Sequence, residues 1–135
     1  MDAANAVHIR AYSAGGAIPD NDIVTGLTST IDLTAIGRSF FIQHVRVRVA
    51  LSHAAPLTVK LALTDGTTTR ILADFGEIAA AGTLSFSDGY SDDTAPNQAL
   101  SSFKGVSSSD TWSLKAYDNT GGTTGSVTAW ELELW

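Results

Sequence analysis

The first residues to consider are those whose side chains could carry out acid–base or nucleophilic chemistry. The sequence contains three histidines, His8, His44 and His53, together with many serines. Nucleophilic catalysis needs a serine, a histidine and a carboxylate in hydrogen-bond reach, and no Gly-x-Ser-x-Gly segment places a serine on a sharp turn. His8 and His44 fall on the polar side of alternating segments, and we expect His53 to bond to the turn that follows it. The sequence therefore predicts a protein that is not an enzyme.

Carboxylates are concentrated in three turn-like segments, which makes a hard cation the metal to consider. The acidic and amide residues of these segments are Asp20, Asn21 and Asp22, then Asp88, Asp92 and Asp93, then Asp118 and Asn119. Calcium takes several carboxylate and carbonyl oxygens, and no segment has the spacing of an EF-hand loop, so a site needs loops that converge. We predict calcium bound by Asp20, Asp22 and Asp88. The alternative is that short Asp and Asn side chains simply form these turns.

Composition excludes several other kinds of site. The chain has 135 residues, no cysteine and a net charge of −6. Disulfides and cysteine-based zinc sites are therefore excluded, and no histidine pair has the spacing of zinc ligands. An acidic chain is not expected to bind nucleic acid or anionic membranes in general. The first residues, MDAANAVHIR, lack the pattern of a signal peptide, and no segment is long and apolar enough to span a membrane.

The scarce basic residues form a row in the segment FFIQHVRVRVALSH, residues 40–53. His44, Arg46 and Arg48 lie two apart, and valines and a leucine fill the positions between them. A strand over residues 41–51 would place the apolar row in the core and the basic row outside. The basic row is then a solvated face, a face paired with Glu131 and Glu133 of a neighbouring strand, or a stripe for anionic ligands. We favour the solvated or paired face.

Alternation of apolar and polar residues recurs along the chain and predicts half-buried strands. The apolar sets are Leu27, Ile31 and Leu33; Leu57, Val59, Leu61 and Leu63; Leu84 and Phe86; Trp112 and Leu114; and Trp130, Leu132 and Leu134. Turn-forming segments such as TDGTT and DNTGGTTG separate these sets. We predict an all-β fold, a single antiparallel sandwich domain over residues 1–135, with Phe103 plugging one edge of the core.

The tryptophans test whether the surface offers a platform for sugars. Trp112 and Trp130 share the phase of the buried leucines, so we place them in the core. Trp135 has the phase of the glutamates and is the better candidate for a contact with another chain. Tyr90 is the other aromatic residue expected at the surface, and so few exposed rings make carbohydrate a secondary ligand prediction.

Six segments occur in an order that is typical of one known family. They are AIPDND, FIQHVRVRVALSH, LTVKLALTDGTTTRIL, LSFSDG, ALSSFKG and SSDTWSLKAYDNTGGTTGSVTAWELELW. Together they resemble the P domain (P/Homo B domain) that follows the catalytic domain of proprotein convertases and many bacterial subtilisin-like proteases. The resemblance covers nearly the whole chain. It implies a β-sandwich of jelly-roll type, a non-catalytic role in stabilising a linked protease, and calcium binding, as in some members.

These features lead to two predictions of function. No protease sequence precedes the module within these 135 residues, so we expect a non-enzymatic structural or protein-interaction module acting as a homo-oligomer or in a larger assembly, such as a virion surface or filament. The alternative is an accessory module that binds a carbohydrate or a partner protease, with calcium holding its loops rigid. A virion or an extracellular surface is the location we suspect.

Overall fold

The computed structural model describes residues 9–36, 39–89 and 93–135, which form two antiparallel sheets and short 3-10 helices. The strands are β1 (Ile9–Ser13), β2 (Gly16–Ile18), β3 (Asp22–Asp32), β4 (Val45–His53), β5 (Val59–Thr64), β6 (Thr69–Ala73), β7 (Gly82–Ser87), β8 (Thr111–Asp118) and β9 (Gly125–Leu134). The 3-10 helices are Thr34–Ile36, Pro56–Thr58 and Leu100–Phe103. In the described ranges no helix is long and apolar enough to cross a membrane.

The strand order confirms the predicted sandwich. In the first sheet the order is β1-β9-β4-β7, with β2 also paired to β9, and in the second sheet it is β3-β8-β5-β6. The chain changes sheet at every connection after β2 except the turn between β5 and β6. This alternation between two packed sheets is the arrangement of a jelly roll, the fold type that the family resemblance implied.

The core lies between the sheets and is built from the alternating rows. The inward residues of β4, from Val45 to Leu51, are buried, and so are Trp112, Leu114 and Ala116 of β8. Large rings in a core need a partner for their polar atom. The indole N–H of Trp112 donates to the Ser108 carbonyl at 3.2 Å, and that of Trp130 donates to the Ser29 hydroxyl at 2.8 Å. The predicted core position of both rings is thereby confirmed.

The ends of two strands differ from the sequence prediction. Leu57 was expected in the core, but it is 53% exposed, because the chain forms a 3-10 helix at Pro56–Thr58 and β5 begins only at Val59. The Thr58 N–H and hydroxyl both donate to the Ala55 carbonyl, which makes this turn. Similarly, β4 covers residues 45–53 rather than 41–51, and Phe41 is exposed. Phe103 is fully buried, as predicted.

The outer strands on the two sides of the sandwich are covered to different degrees. On one side, the segment 94–98 bridges the outer strands of both sheets. Thr94 N–H donates to the Ser85 carbonyl of β7 at 2.8 Å, and Gln98 N–H donates to the Ile71 carbonyl of β6 at 2.8 Å. On the other side, β3 pairs only with β8 within the described residues. One side is therefore closed by the chain itself, and the other presents a strand edge.

Candidate functional site

The outer face of the first sheet carries the basic row that the sequence singled out. In the register of β4 with β9, Arg46 is opposite Glu133 and Arg48 is opposite Glu131. Arg48 Nη1 lies 3.3 Å from Glu131 Oε1, and Arg46 Nη1 lies 4.0 Å from Glu133 Oε1. The paired-face interpretation is confirmed.

Glu131 is the centre of this network. Its carboxylate also lies 3.2 Å from Arg10 Nε of β1, and the residue is only 8% exposed. The hydrogen bond to Glu131 raises the pKa of Arg10, and a second hydrogen bond raises the pKa of Tyr12. One glutamate thus links two arginines and a tyrosine, so its oxygens are engaged within the sheet.

Arg46 joins the network to the edge of the sheet. Its Nε–H donates to Asp93 Oδ2 at 2.9 Å, and the Asp93 carboxylate is nearly buried. Each arginine of the row therefore has at least one carboxylate partner from the same chain. An anionic ligand would have to displace a carboxylate to bind here, which argues for a structural role of the row.

The chain contains a histidine–aspartate pair at the start of β4. His44 Nδ1–H donates to Asp88 Oδ2 at 3.2 Å, and Lys104 Nζ lies 3.2 Å from the same oxygen. The Val45 N–H donates to the other carboxylate oxygen at 3.3 Å. The Asp88 side chain is 3% exposed, whereas the His44 side chain is 43% exposed. We call this region, with Asp88, Lys104 and Trp135, the His44 end.

The His44 end also holds an aromatic contact and shallow cavities. The His44 ring lies 5.3 Å from the Trp135 ring at an interplanar angle of 31°. A cavity of about 170 Å³ is lined by His44, Asp88, Gly89 and Lys104, and one of about 460 Å³ extends from Asp88 to Ser101. Trp135 thus contacts its own chain, and its predicted contact with another chain stays a prediction.

A second histidine–aspartate pair closes the other end of β4 and is fully buried. His53 Nε2 lies 3.0 Å from Asp118 Oδ2, and both side chains are 0% exposed. The Ala55 N–H donates to His53 Nδ1 at 2.9 Å, so Nδ1 is an acceptor and Nε2 carries the proton. The Thr120 N–H donates to Asp118 Oδ1 at 2.9 Å. We call this region, with the turns after Ile18 and Asp118, the His53 end.

Sequence reasoning found only part of this second pair. The bond from His53 to the following turn is confirmed by its contact with Ala55. The partnership with Asp118 was missed, because the two residues are 65 positions apart and belong to different sheets. A usable signal was present, since each residue ends an alternating segment on the buried phase.

The three predicted calcium ligands lie at opposite ends of the sandwich. Asp22 is opposite Asp118 at the His53 end, and Asp20 Oδ2 accepts a hydrogen bond from Gly122 N–H at 3.1 Å. Asp88 lies at the His44 end, which is one strand length, roughly 30 Å, from the His53 end. In residues 9–36, 39–89 and 93–135, no group of three His, Asp or Glu side chains is arranged to hold a metal. Calcium binding stays a prediction, and only Asp20 and Asp22 are brought together.

The acidic turn at the His53 end has a structural role of its own. Asp22 Oδ1 accepts hydrogen bonds from the N–H groups of Val24 and Thr25, both at 2.9 Å. These bonds lower the pKa of Asp22, and the bond from Thr25 has the largest effect. The turn-forming alternative therefore accounts for Asp22. His8, Tyr90 and Asp92 fall outside the described residues.

Taken together, the fold and these contacts define a β-sandwich module whose conspicuous charged groups hold its own sheets together. The sequence matches the model of the proprotein convertase P-domain family over residues 42–134, more than half of the chain. The chain belongs to this family, as the resemblance predicted. No curated protein matches the sequence significantly.

Solved structures agree on the fold. A crystal structure of the Aeromonas sobria serine protease in complex with the chaperone ORF2 is similar, with a TM-score of 0.63 and 17% identity over 96% of this chain and 26% of that one. The structure of FlhE is similar too, with a TM-score of 0.62 and 10% identity over 95% of this chain and 94% of that one. The chain thus spans about a quarter of the protease structure and nearly all of FlhE.

Proposed function

We propose that this chain is a non-enzymatic module that works through contacts with other proteins, in a homo-oligomer or a larger assembly outside the cell or on a particle surface. The observation that carries the proposal is that the side chains capable of acid–base chemistry are bound to other side chains of the same chain. His53 is fully buried against Asp118, Glu131 is shared by two arginines, and Asp88 is held by His44 and Lys104. Side chains engaged in this way hold the scaffold together. Membership of a family of accessory domains supports the same role.

Sedimentation velocity on the purified protein tests this proposal. From low micromolar to near-millimolar concentration we expect species heavier than one chain, and a panel of ester, peptide and glycoside substrates should show no turnover. Turnover that is lost in His44→Ala but kept in His53→Gln would place a catalytic site at the His44 end and overturn the proposal. A monomer at every concentration that binds glycans on an array would favour the carbohydrate alternative.

A second candidate function is supported by one comparison. Because a similar fold forms about a quarter of a serine protease structure, an accessory role beside a protease is the alternative. In this case we expect the purified module to raise the melting temperature of a subtilisin-like protease domain encoded next to it. A protease whose melting temperature is unchanged by excess module would exclude this role.

A further inference from the structure

The outer strands of the two sheets are protected to very different degrees. An unprotected strand edge is a template for pairing with another chain, and proteins usually cover it or place charges and prolines along it. The edges of β6 and β7 are covered by the segment 94–98, and β1 carries Arg10. Within the described residues, no backbone pairs with the outer edge of β3. This makes β3 the edge to examine.

The second half of β3 is regular and lacks the usual protective features. The register with β8 is continuous from Leu27 to Asp32, and the irregularity is confined to the first half, between Asp22 and Leu27. Between Leu27 and Ile31 there is no lysine, arginine or proline. Thr28 and Thr30 are exposed, whereas Ser29 and Ile31 are buried. The edge is thus a regular strand with threonines on its outer face.

The sequence of this edge is symmetric. The residues Leu27, Thr28, Ser29, Thr30 and Ile31 run apolar, Thr, Ser, Thr, apolar in either direction. Two copies of an antiparallel strand related by a two-fold axis at Ser29 would place Thr28 of one copy opposite Thr30 of the other, and Leu27 opposite Ile31. Threonine pairs and apolar pairs are favourable cross-strand neighbours. Asp32 would face Gly26 of the other copy, so no like charges would meet.

We propose that two copies of this chain pair through β3, antiparallel about Ser29, and so join their second sheets into one continuous sheet. This inference rests on the proposed function in so far as it takes protein contacts to be the module's role, and it names the partner as a second copy. The surface used is the same on both copies, as a two-fold interface requires. Because the opposite side is closed by residues 94–98, assembly through strand edges stops at the dimer.

A charge-swap pair of variants tests both the edge and its register. In Thr28→Lys/Thr30→Lys, the introduced ammonium groups face each other twice across the two-fold axis, and we expect the dimer dissociation constant to rise by about tenfold or more. In Thr28→Lys/Thr30→Glu, opposite charges face each other twice, and we expect an affinity within about threefold of the wild type. Sedimentation equilibrium measures all three proteins.

The two variants are matched controls for each other. Both replace the same exposed threonines, remove the same bond between the Thr30 and Ser113 hydroxyls and place a new ammonium group at position 28 opposite Lys115 of β8. They differ only in the charge introduced at position 30, and their melting temperatures report what this difference does within one chain. The double-lysine variant adds two positive charges to a chain of net charge −6 and so reduces the general repulsion between two copies. This reduction by itself would make the variant associate more tightly. A weaker dimer in this variant therefore reports the local contact.

The outcomes separate this proposal from the proposed function. If the wild type forms oligomers that both variants leave unchanged, the β3 interface is wrong while a role in assembly stands. If the double-lysine variant and the swapped variant are equally weakened, the register about Ser29 is wrong. A wild type that stays monomeric up to near-millimolar concentration overturns the dimer, and the protease-stabilisation measurement then decides the role of the module.

Discussion

Both ends of β4 carry a histidine–aspartate pair, and the two pairs differ in their exposure to solvent. His53 and Asp118 are completely enclosed between the sheets, with three hydrogen bonds fixing the tautomer and the carboxylate. His44 is 43% exposed and shares Asp88 with Lys104. The comparison teaches that the same two side-chain types at similar distances have different roles, because burial decides how much stability is lost when one partner is removed. The His53 end is a structural joint, and the His44 end is an accessible surface.

The largest expected effect comes from removing one partner of the buried pair. His53→Ala leaves the Asp118 carboxylate buried without its histidine partner, which costs about 3–5 kcal/mol of unfolding free energy. His44→Ala removes a half-exposed partner and leaves Asp88 with Lys104 and the Val45 N–H, so it should cost only about 0–1 kcal/mol. Urea unfolding of the two variants measures the difference. Equal losses would mean that the two ends are not distinguished by burial.

The close packing around His53 gives the next largest effect. A Cβ at Gly125 would lie 2.2 Å from the Ser52 carbonyl oxygen and 2.6 Å from His53 Cα. Gly125→Ala should therefore cost about 1–3 kcal/mol, as overpacking does. Gly121→Ala is the control, because a Cβ there meets atoms no closer than 3.7 Å. If thermal unfolding finds both variants equally stable, β9 is able to move away from His53.

The ion network on the outer face of the first sheet should give a smaller, register-specific effect. A double-mutant cycle on Arg48→Ala and Glu131→Ala should give a coupling of about 0.5–1 kcal/mol. The same cycle on Arg46 and Glu131, which are not opposite each other, should give a smaller coupling. Reversal of these two values would show that the strands pair two residues out of register.

Acid titration distinguishes two aspartates at opposite ends. Hydrogen bonds lower the pKa of Asp22, so its ionised form adds stability above the ordinary carboxyl pKa of about 4 and loses it as the pH falls through the folded-state value. Asp22→Asn should flatten the loss of melting temperature below about pH 4.

Asp110, at the His44 end, should behave in the opposite way. Burial, and to a smaller extent the nearby charge of Asp65, raises the pKa of Asp110, so its ionisation opposes folding as the pH rises. Asp110→Asn should instead raise the melting temperature at neutral pH, and identical pH profiles for both variants would contradict this assignment.

Calcium should act at one end only. We expect EDTA to lower the melting temperature slightly and excess calcium to restore it. Because Asp20 and Asp22 lie together, Asp20→Asn should remove this response, whereas Asp88→Asn, at the other end, should keep it. A response lost in Asp88→Asn, or an absent response in the wild type, would refute the prediction.

Sequence reasoning recovered the features that depend on local periodicity. The alternating rows placed Val45 to Leu51, Trp112 and Trp130 in the core, and the matched spacing of Arg48 and Glu131 indicated their pairing. The sequence prediction failed where the chain departs from the alternation of apolar and polar residues. Pro56 begins a 3-10 turn that exposes Leu57. It also failed across the two sheets, because alternation fixes the phase of His53 and Asp118 but not which strands end beside each other.

The central position of β9 has a consequence for the order of events in folding. This strand pairs with β1, β2 and β4, so the first sheet lacks its middle until residues 125–134 are available. Folds dominated by such long-range pairings form slowly, because a large loop must close before any contact is gained. A chain emerging from a ribosome or a translocation channel would therefore remain open until residues 125–134 had been released.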